Sequence, residues 1–367
     1  MLCKLLLFHR QVESGTGKVA VGVLWFKFKG RCNVLLRLLV LLTFDIQTST
    51  RQIVLRMNRI ELHQGIESLH SLARPAVLAV QNSQSKPPVF VQRIQFKQMM
   101  HEIARLREET FRAIGEGTGK SLDQDEFDRY FKQMFLWDTV KQKIAGCYRL
   151  GIGSEIIPKL GIKGFYVSTL VNIDESFSDK LSHTIELGRS FVPLDYQKEV
   201  LPMMLLLRGL SDVVVRYPEI NHFIGPVSIS SWYPKFYLSL IARFVSENHA
   251  VEDELKGKVT PKTPFVPDYL KVDSDVLLKN NMNGVDKFDK FLFRLSNGEY
   301  RLPTLYKKYL KLNAKFLCFN VDPDFNDTLD SLLFLTFTDF PEDEVMPLFR
   351  DSSDEEKEIV RKRFGYI

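Results

Sequence analysis

The feature that most narrows the fold is the stretch Thr184-Ile-Glu-Leu-Gly-Arg-Ser-Phe-Val-Pro193, which runs into Leu194-Asp-Tyr-Gln-Lys-Glu-Val and then the apolar run Leu201 to Val215. It reads as a buried strand, a sharp exit at Pro193 and a long helix. Glycine inside a strand weakens it, so Gly188 marks a bulge or a place where a ligand's backbone comes close. Glu186 and Arg189 put opposite charges on one apolar strand, which is unfavourable unless they pair or take part in chemistry. Two readings follow, a structural ion pair or a reaction centre.

Around this unit, periodicity predicts a strand at Val89–Ile94, a helix at Phe96–Ile114 and a short helix at Asp125–Met134. Strands follow at Gln142–Leu150 and Gly164–Val171. After the Glu186 strand come a helix at Tyr196–Tyr217, a strand at His222–Ile229 and a helix at Pro234–Asn248. The polar, Pro-containing stretch Glu252–Asn297 becomes helical late, ahead of a helix at Leu302–Leu312 and strands at Ala314–Asn320 and Ser331–Thr338. The order predicts an α/β (α+β) domain over residues 86–367, with one mixed central sheet flanked by helices. A chain that is 45% hydrophobic can bury a substantial core for it.

Residues 1–85 carry no sustained period, and Gln81–Pro88 (QNSQSKPP) reads as a linker, so this part is a poorly defined extension. Residues 1–60 hold ten Lys or Arg against two acids. A basic, leucine-rich front end without interleaved aromatics suits an anionic membrane surface, not nucleic acid. Val34–Phe44 is too short to span a bilayer, which needs about 20 residues, and the start lacks the run and cleavage site of a signal peptide. Cys3, Cys32, Cys147 and Cys318 form no CxxC pair, which argues against zinc and disulfides and fits a reducing cytosol. The expectation is a cytoplasmic protein, peripheral to the inner membrane.

Gly115-Glu-Gly-Thr-Gly-Lys-Ser121 is not a phosphate loop, because Ile114 stands where the first glycine belongs and a helix precedes it. It reads as a substrate-covering loop or as a helix-ending turn. Asp123-x-Asp125-x-x-Asp128 is either a solvated helix start or, with Arg107, a set of acids that receives a cationic substrate. The histidines have no metal-ligand spacing, and His183 and His222 read as structural. With no His-x-x-x-x-Asp and no Gly-x-Ser-x-Gly, O-acylation and serine hydrolysis find no support.

Arg107-x-x-x-Phe111, Asp123-x-Asp125-x-x-Asp128, Gly146-x-x-Arg149 and Glu186-x-x-Arg189 occur in that order. The set resembles the acyl-carrier-protein-dependent branch of the GNAT superfamily, which holds the acyl-homoserine-lactone synthases and the hemolysin-related bacterial amino-acid N-acyltransferases that make ornithine and glycine lipids. Glu186-Leu-Gly-Arg-Ser, Ile224-Gly-Pro-Val-Ser-Ile-Ser, Leu302-Pro…Tyr309-Leu-Lys-Leu-Asn-Ala and Asp322-Pro-Asp-Phe-Asn-Asp-Thr-Leu-Asp330 bring the chain nearer the lipid-making group. The likeness spans roughly residues 88–345. Some relatives carry a preceding lysophospholipid-acyltransferase-like domain, of which residues 1–85 would be a remnant without the activity.

The resemblance implies transfer of an acyl group from a phosphopantetheine thioester to an amino acid's amine, giving a lyso-aminolipid, with no bound cofactor or metal. Glu186, Gly188 and Arg189 are the implied catalytic residues, Glu186 as base and the Gly188 backbone as oxyanion donor. Arg107, Phe111, Asp125, Asp128, Arg149 and Ser190 are the implied substrate-binding set. Acyl carrier protein is favoured over CoA, because no glycine lies between Arg189 and Gly209 and Pro193 lacks an N–H, so a pyrophosphate finds few donors. Two alternatives are a homoserine-lactone synthase and an inactive homologue that binds lipid or a protein partner.

Overall fold

Six strands form the centre of the fold: β1 (Lys132–Asp138), β2 (Lys143–Ile152), β3 (Thr184–Phe191), β4 (His222–Ile229), β5 (Lys315–Asp322) and β6 (Thr328–Thr336). Their order in the sheet is β5-β6-β4-β3-β2-β1. Only β3 and β4 run parallel, so the sheet is mixed, as expected. The computed structural model describes residues 89–138, 140–268, 284–350 and 352–367, with side chains from Lys97 onward. Ahead of these it describes the backbone of Leu2–Arg10, Val19–Lys27, Phe44–Ile46 and Ile53–Leu55. The first two pair as a hairpin that continues the sheet past β1. The apolar stretch at Val34–Phe44, apart from its last residue, and the linker at Gln81–Pro88 lie outside the described residues.

Helix α1 (Val89–Arg112) is continuous, where a strand at Val89–Ile94 was expected. No Gly, Pro or turn cluster separates Ile94 from Phe96, so nothing stops the helix from propagating. The helix expected at Asp125–Met134 is a single turn, Glu126–Arg129, and Met134 lies within β1. The strand expected at Gly164–Val171 is instead a helical turn at Val167–Leu170 followed by a short strand, Val171–Ile173. Beyond them come α2 (Gly153–Leu160), α3 (Leu201–Arg216), α4 (Lys235–Asn248), α5 (Val285–Leu295), α6 (Thr304–Lys311) and α7 (Asp354–Phe364). None of the helices among the described residues is long and apolar enough to cross a membrane.

Alternation along the strands separates two layers. Tyr148 of β2 reaches the far face, where its hydroxyl meets that of Tyr309 on α6 at 3.0 Å. Arg149, the next residue, points to the face covered by α1 and the 123–130 loop. That second face also holds a satellite core of Phe127, Phe131, Phe165, Val167, Ile224 and Phe334.

The site is positioned by a defect in this sheet. β3 and β4 pair only at Thr184↔His222, Ile185↔Phe223 and Glu186↔Ile224, although each strand continues for at least five more residues. Gly225 lies where they part, and a Cβ there would stand 2.2 Å from the Leu187 carbonyl oxygen. Pro226 follows, and a residue without an N–H is tolerated where a strand faces no partner. Gly188 contrasts with Gly225, since a Cβ on it would meet only Arg149 Nε at 3.9 Å. Gly225→Ala is therefore expected to destabilise by about 1–3 kcal/mol. Gly188→Ala is expected to leave the urea midpoint within error of wild type while lowering activity, because its side chain would fill the gap.

Candidate active site

Three arginines and three aspartates interlock beneath the parting strands. Arg107, on α1, is fully buried and grips Asp128 through both terminal nitrogens, at 3.0 and 2.8 Å. It also donates to the Asp123 carbonyl. Arg149 donates to both Asp125 oxygens at 2.6 and 2.7 Å, and Arg189 Nε lies 2.9 Å from Asp123 Oδ2. Gln133 adds a 2.9 Å bond to Asp128. Burial alone would raise the Asp128 carboxyl, but Arg107 and Arg149 hold it well below the usual carboxylate range. The Asp123–Asp128 run is thus a buried scaffold and not a solvated helix start. Asp125 serves both ends, because it also caps the 126–129 turn through the Phe127 and Asp128 amides.

Aromatic rings carry the network up to the gap. Arg149 lies over Tyr166 at 5.2 Å, and Arg189 lies 4.7 Å from both Tyr166 and Phe325. Phe325 meets Phe111 edge-on at 5.3 Å. This brings Arg107, Phe111, Asp125, Asp128, Arg149, Gly188 and Arg189 into one neighbourhood. Tyr166, Phe325 and Gln133 belong to it too and were missed, since no short motif marks a ring or amide that arrives through long-range packing.

β3 bulges at the gap. Arg149 pairs with Gly188 and Cys147 with Phe191, so two steps along β2 match three along β3. The extra residue falls beside Gly188 as expected, but Arg189 takes the left-handed conformation, at φ 48°. A side chain held at positive φ is strained, and such strain concentrates at functional sites. Ser190, next in the bulge, stands beside Tyr148, whose hydroxyl meets that of Tyr309 on the far face. There Leu207, Leu210, Phe223, Leu335 and Phe340 join Tyr309 around an apolar hollow.

Glu186 lies just below the bulge and is fully buried. One oxygen accepts the Tyr166 amide at 2.8 Å and the other the Val167 amide at 2.9 Å, which starts the 167–170 turn. Burial pushes its carboxyl up to about 8 against the pull of Arg149 and those two bonds. A raised carboxyl suits proton transfer near neutrality. The expected role as direct base nevertheless meets an obstacle, since both oxygens are engaged and neither reaches solvent.

The Gly115 loop is tied down and is not a free cover. The Glu108 carboxylate accepts the amides of Thr118 and Gly119, both at 3.0 Å, and Asn326 donates to the Gly115 carbonyl at 2.7 Å. Gly115 has φ 79°, and a Cβ there would strike Trp232 at 2.4 Å. Burial pushes the Cys147 thiol up to about 12, so it is no nucleophile at neutral pH. His222 stacks on Phe334 at 4.8 Å, and burial, aided by Lys180 and His183, lowers it to about 4. No group of three or more His, Cys, Asp or Glu among the described residues is arranged to hold a metal ion.

A family model described as an acetyltransferase (GNAT) domain matches residues 106–207, from the start of the arginine network to α3. A glycine N(alpha)-acyltransferase of Phocaeicola vulgatus is 30% identical over 263 residues, which is 67% of this chain and 78% of that protein. A second enzyme of that name, from Bacteroides thetaiotaomicron, is 29% identical over 67% of this chain and 75% of its own length. Among solved structures, the CoA-dependent acyl-homoserine lactone synthase MesI aligns at 12% identity over 76% of this chain and 93% of that one. The TM-score of that alignment is 0.29.

Proposed function

Because the chain belongs to the GNAT acyltransferases, in the family of the glycine N(alpha)-acyltransferases, we propose that it moves a fatty acyl group from acyl carrier protein to the amine of an amino acid, glycine foremost, giving a lyso-aminolipid. The observation that carries this reading is the parting of β3 from β4 after three residue pairs. A phosphopantetheine arm is a narrow chain of amides, and a strand edge without a neighbour offers it main-chain partners. The open space over Gly188 gives the thioester room beside β3. Main-chain N–H groups that the bulge removes from the ladder are the proposed donors to the thioester oxygen as it becomes an oxyanion. Ser190 orients that segment through Tyr148.

Glu186 acts in this mechanism chiefly by position. It joins the strand that bears the bulge to the Tyr166–Val167 turn, and Tyr166 in turn packs on Arg189. Arg189 and Arg149 fix the acids of the network around it, and Phe111 holds Phe325 against Arg189.

The loop after β3 favours a protein-borne donor. The amides of Tyr196, Gln197 and Glu199 each bond a carbonyl inside the loop, and Pro193 has none to give. α3 has no side-chain cap, and Pro202 occupies its first turn. A CoA pyrophosphate would meet few free donors and the Asp195 carboxylate. The test is turnover of purified protein with glycine and other amino acids, using matched acyl-carrier-protein and acyl-CoA donors, with products read by mass spectrometry. The carrier-protein donor is expected to be preferred by at least about tenfold in kcat/KM, and that preference should shrink as salt screens the protein–protein encounter. Equal use of the CoA thioester would sink the donor assignment, and absence of N-acyl amino acid with either donor would sink the reaction.

A further inference from the structure

Acids that form no ion pair with the three arginines meet at one place on the same face of the sheet. Glu116 comes from the turn after α1, Ser228 from β4, and Asp322 and Asp330 from the strands on either side of the Asp-Pro-Asp-Phe turn. Ser228 donates to Glu116 Oε2 at 2.8 Å. Asp330 stands directly across from Ser228 in the β4–β6 ladder, and Thr328, two residues earlier on the same face, stands across from Asp322. Asp322 accepts the Asp324 amide at 3.0 Å and the Tyr166 hydroxyl at 3.5 Å. All three residues are more than nine-tenths buried, Glu116 being 7%, Asp322 4% and Asp330 5% exposed.

None of these acids has an ion-pair partner of its own among the described residues. Arg107, Arg149 and Arg189 are already matched by Asp123, Asp125 and Asp128. Arg189 is the one cation among the described residues that acts on all of Glu116, Asp322 and Asp330, and the other titratable groups facing them are Tyr166, Tyr233, Cys318 and Asp324. Asp330 has no hydrogen bond and no ion pair among the described residues. An observation independent of charge points the same way. Thr328 is fully buried, its Oγ1 has no hydrogen-bond partner, and its register aims it among the acids. An orphaned buried hydroxyl beside an unpartnered carboxylate is unfavourable unless a ligand satisfies both. The group they fit is a small cation with several N–H donors, because the acids are not arranged to ligate a metal.

We propose that Glu116, Asp322, Asp330 and Thr328 receive the primary ammonium group of the acceptor, and that Glu116 takes its proton. This rests on the N-acyltransfer reading and names the residues that bind the acceptor. The nitrogen arrives with three protons. One passes to a Glu116 oxygen, which frees the lone pair to attack the thioester carbonyl. The C–N bond forms and the C–S bond breaks, a second proton leaves with the departing thiolate, and the third stays on the amide. Glu116 then returns its proton to solvent. Burial, opposed by Ser228 and Arg189, pushes Glu116 up to about 7, in the range a base needs. Arg189 lies at the bulge, so the pocket and the thioester slot share a wall.

The test separates binding from reaction. Wild-type protein and the Asp330→Asn and Glu116→Gln variants are melted at pH 7.5 with glycine, ethylammonium chloride, N-acetylglycine or magnesium chloride, without acyl donor. Glycine and ethylammonium are expected to raise the wild-type Tm while N-acetylglycine and magnesium do not, and Asp330→Asn should lose the response. Unliganded Asp330→Asn should melt no lower than wild type, since it replaces a buried carboxyl that burial, Asp322 and Glu116 all push upward and that has no hydrogen-bond partner to lose. With donor present, Asp330→Asn should raise the acceptor KM roughly tenfold or more with donor KM within about twofold. Glu116→Gln should remove the limb of the pH–rate profile near 7. An ammonium response retained by Asp330→Asn, no response in wild type, or a response to magnesium alone would overturn the pocket. If the wild-type response holds but no donor is used, the pocket stands and the reaction reading falls.

Discussion

Arg107→Met is expected to destabilise the protein by about 3–5 kcal/mol, enough to leave little of a typical domain's stability. Methionine roughly keeps the stem's apolar packing, so the loss isolates the guanidinium. Without it, Asp128 loses two bonds at 3.0 and 2.8 Å in a site that water does not reach, and the Asp123 carbonyl loses its donor. The sign with pH follows from Asp128, whose folded carboxyl is depressed. Its stabilisation is present above the unfolded carboxylate range, about 3.9, and is lost as pH falls through the lower folded value. Urea unfolding at pH 7 and pH 3 should therefore show a large gap between wild type and variant that narrows in acid. Arg107→Met/Asp128→Leu should recover part of the loss, because the orphaned charge goes with it. A midpoint for Arg107→Met close to wild type would mean that the network is not the scaffold described.

Much of this scaffold was legible in the chain. Arg107, Asp125, Asp128, Arg149 and Arg189 lie far apart in sequence, yet the resemblance carried by their order and spacing grouped them, and the fold brings them together. β4 matches its expected bounds, His222–Ile229, because a Tyr-Pro before it and a Trp-Tyr-Pro after it punctuate the run. β1 was missed for a physical reason. It is buried on both faces, so Lys-Gln-Met-Phe-Leu-Trp-Asp shows no alternation, while Phe127 and Phe131 ahead of it have helical spacing. The turn at Val167–Leu170 was equally hidden, since what starts it is a carboxylate nineteen residues on. The acid pocket depends on the register between β4, β5 and β6, which local pattern does not encode.

Glu186→Gln should lower kcat at least about 100-fold, the lower end of what a misplaced acid–base site loses, with donor KM changed far less. Glutamine keeps one acceptor oxygen and presents an NH2 group where the second amide, Tyr166 or Val167, needs an acceptor. One buried N–H is then orphaned, and the Tyr166 wall against Arg189 shifts with it. Stability should move the other way at alkaline pH. The folded Glu186 carboxyl is raised from its ordinary 4.5 to about 8, so its contribution is full below about 4.5 and is lost as pH rises through 8. Wild type should thus lose melting temperature across that window more steeply than the variant, which has no proton to give up there. The pH–rate profile separates the two roles a carboxylate can have here. A positioning residue leaves the limb near 7 in place in Glu186→Gln, at reduced height, because the proton goes to Glu116. If that limb vanishes in Glu186→Gln and survives in Glu116→Gln, Glu186 is itself the base, and the two amides that hold it must let one oxygen go during turnover.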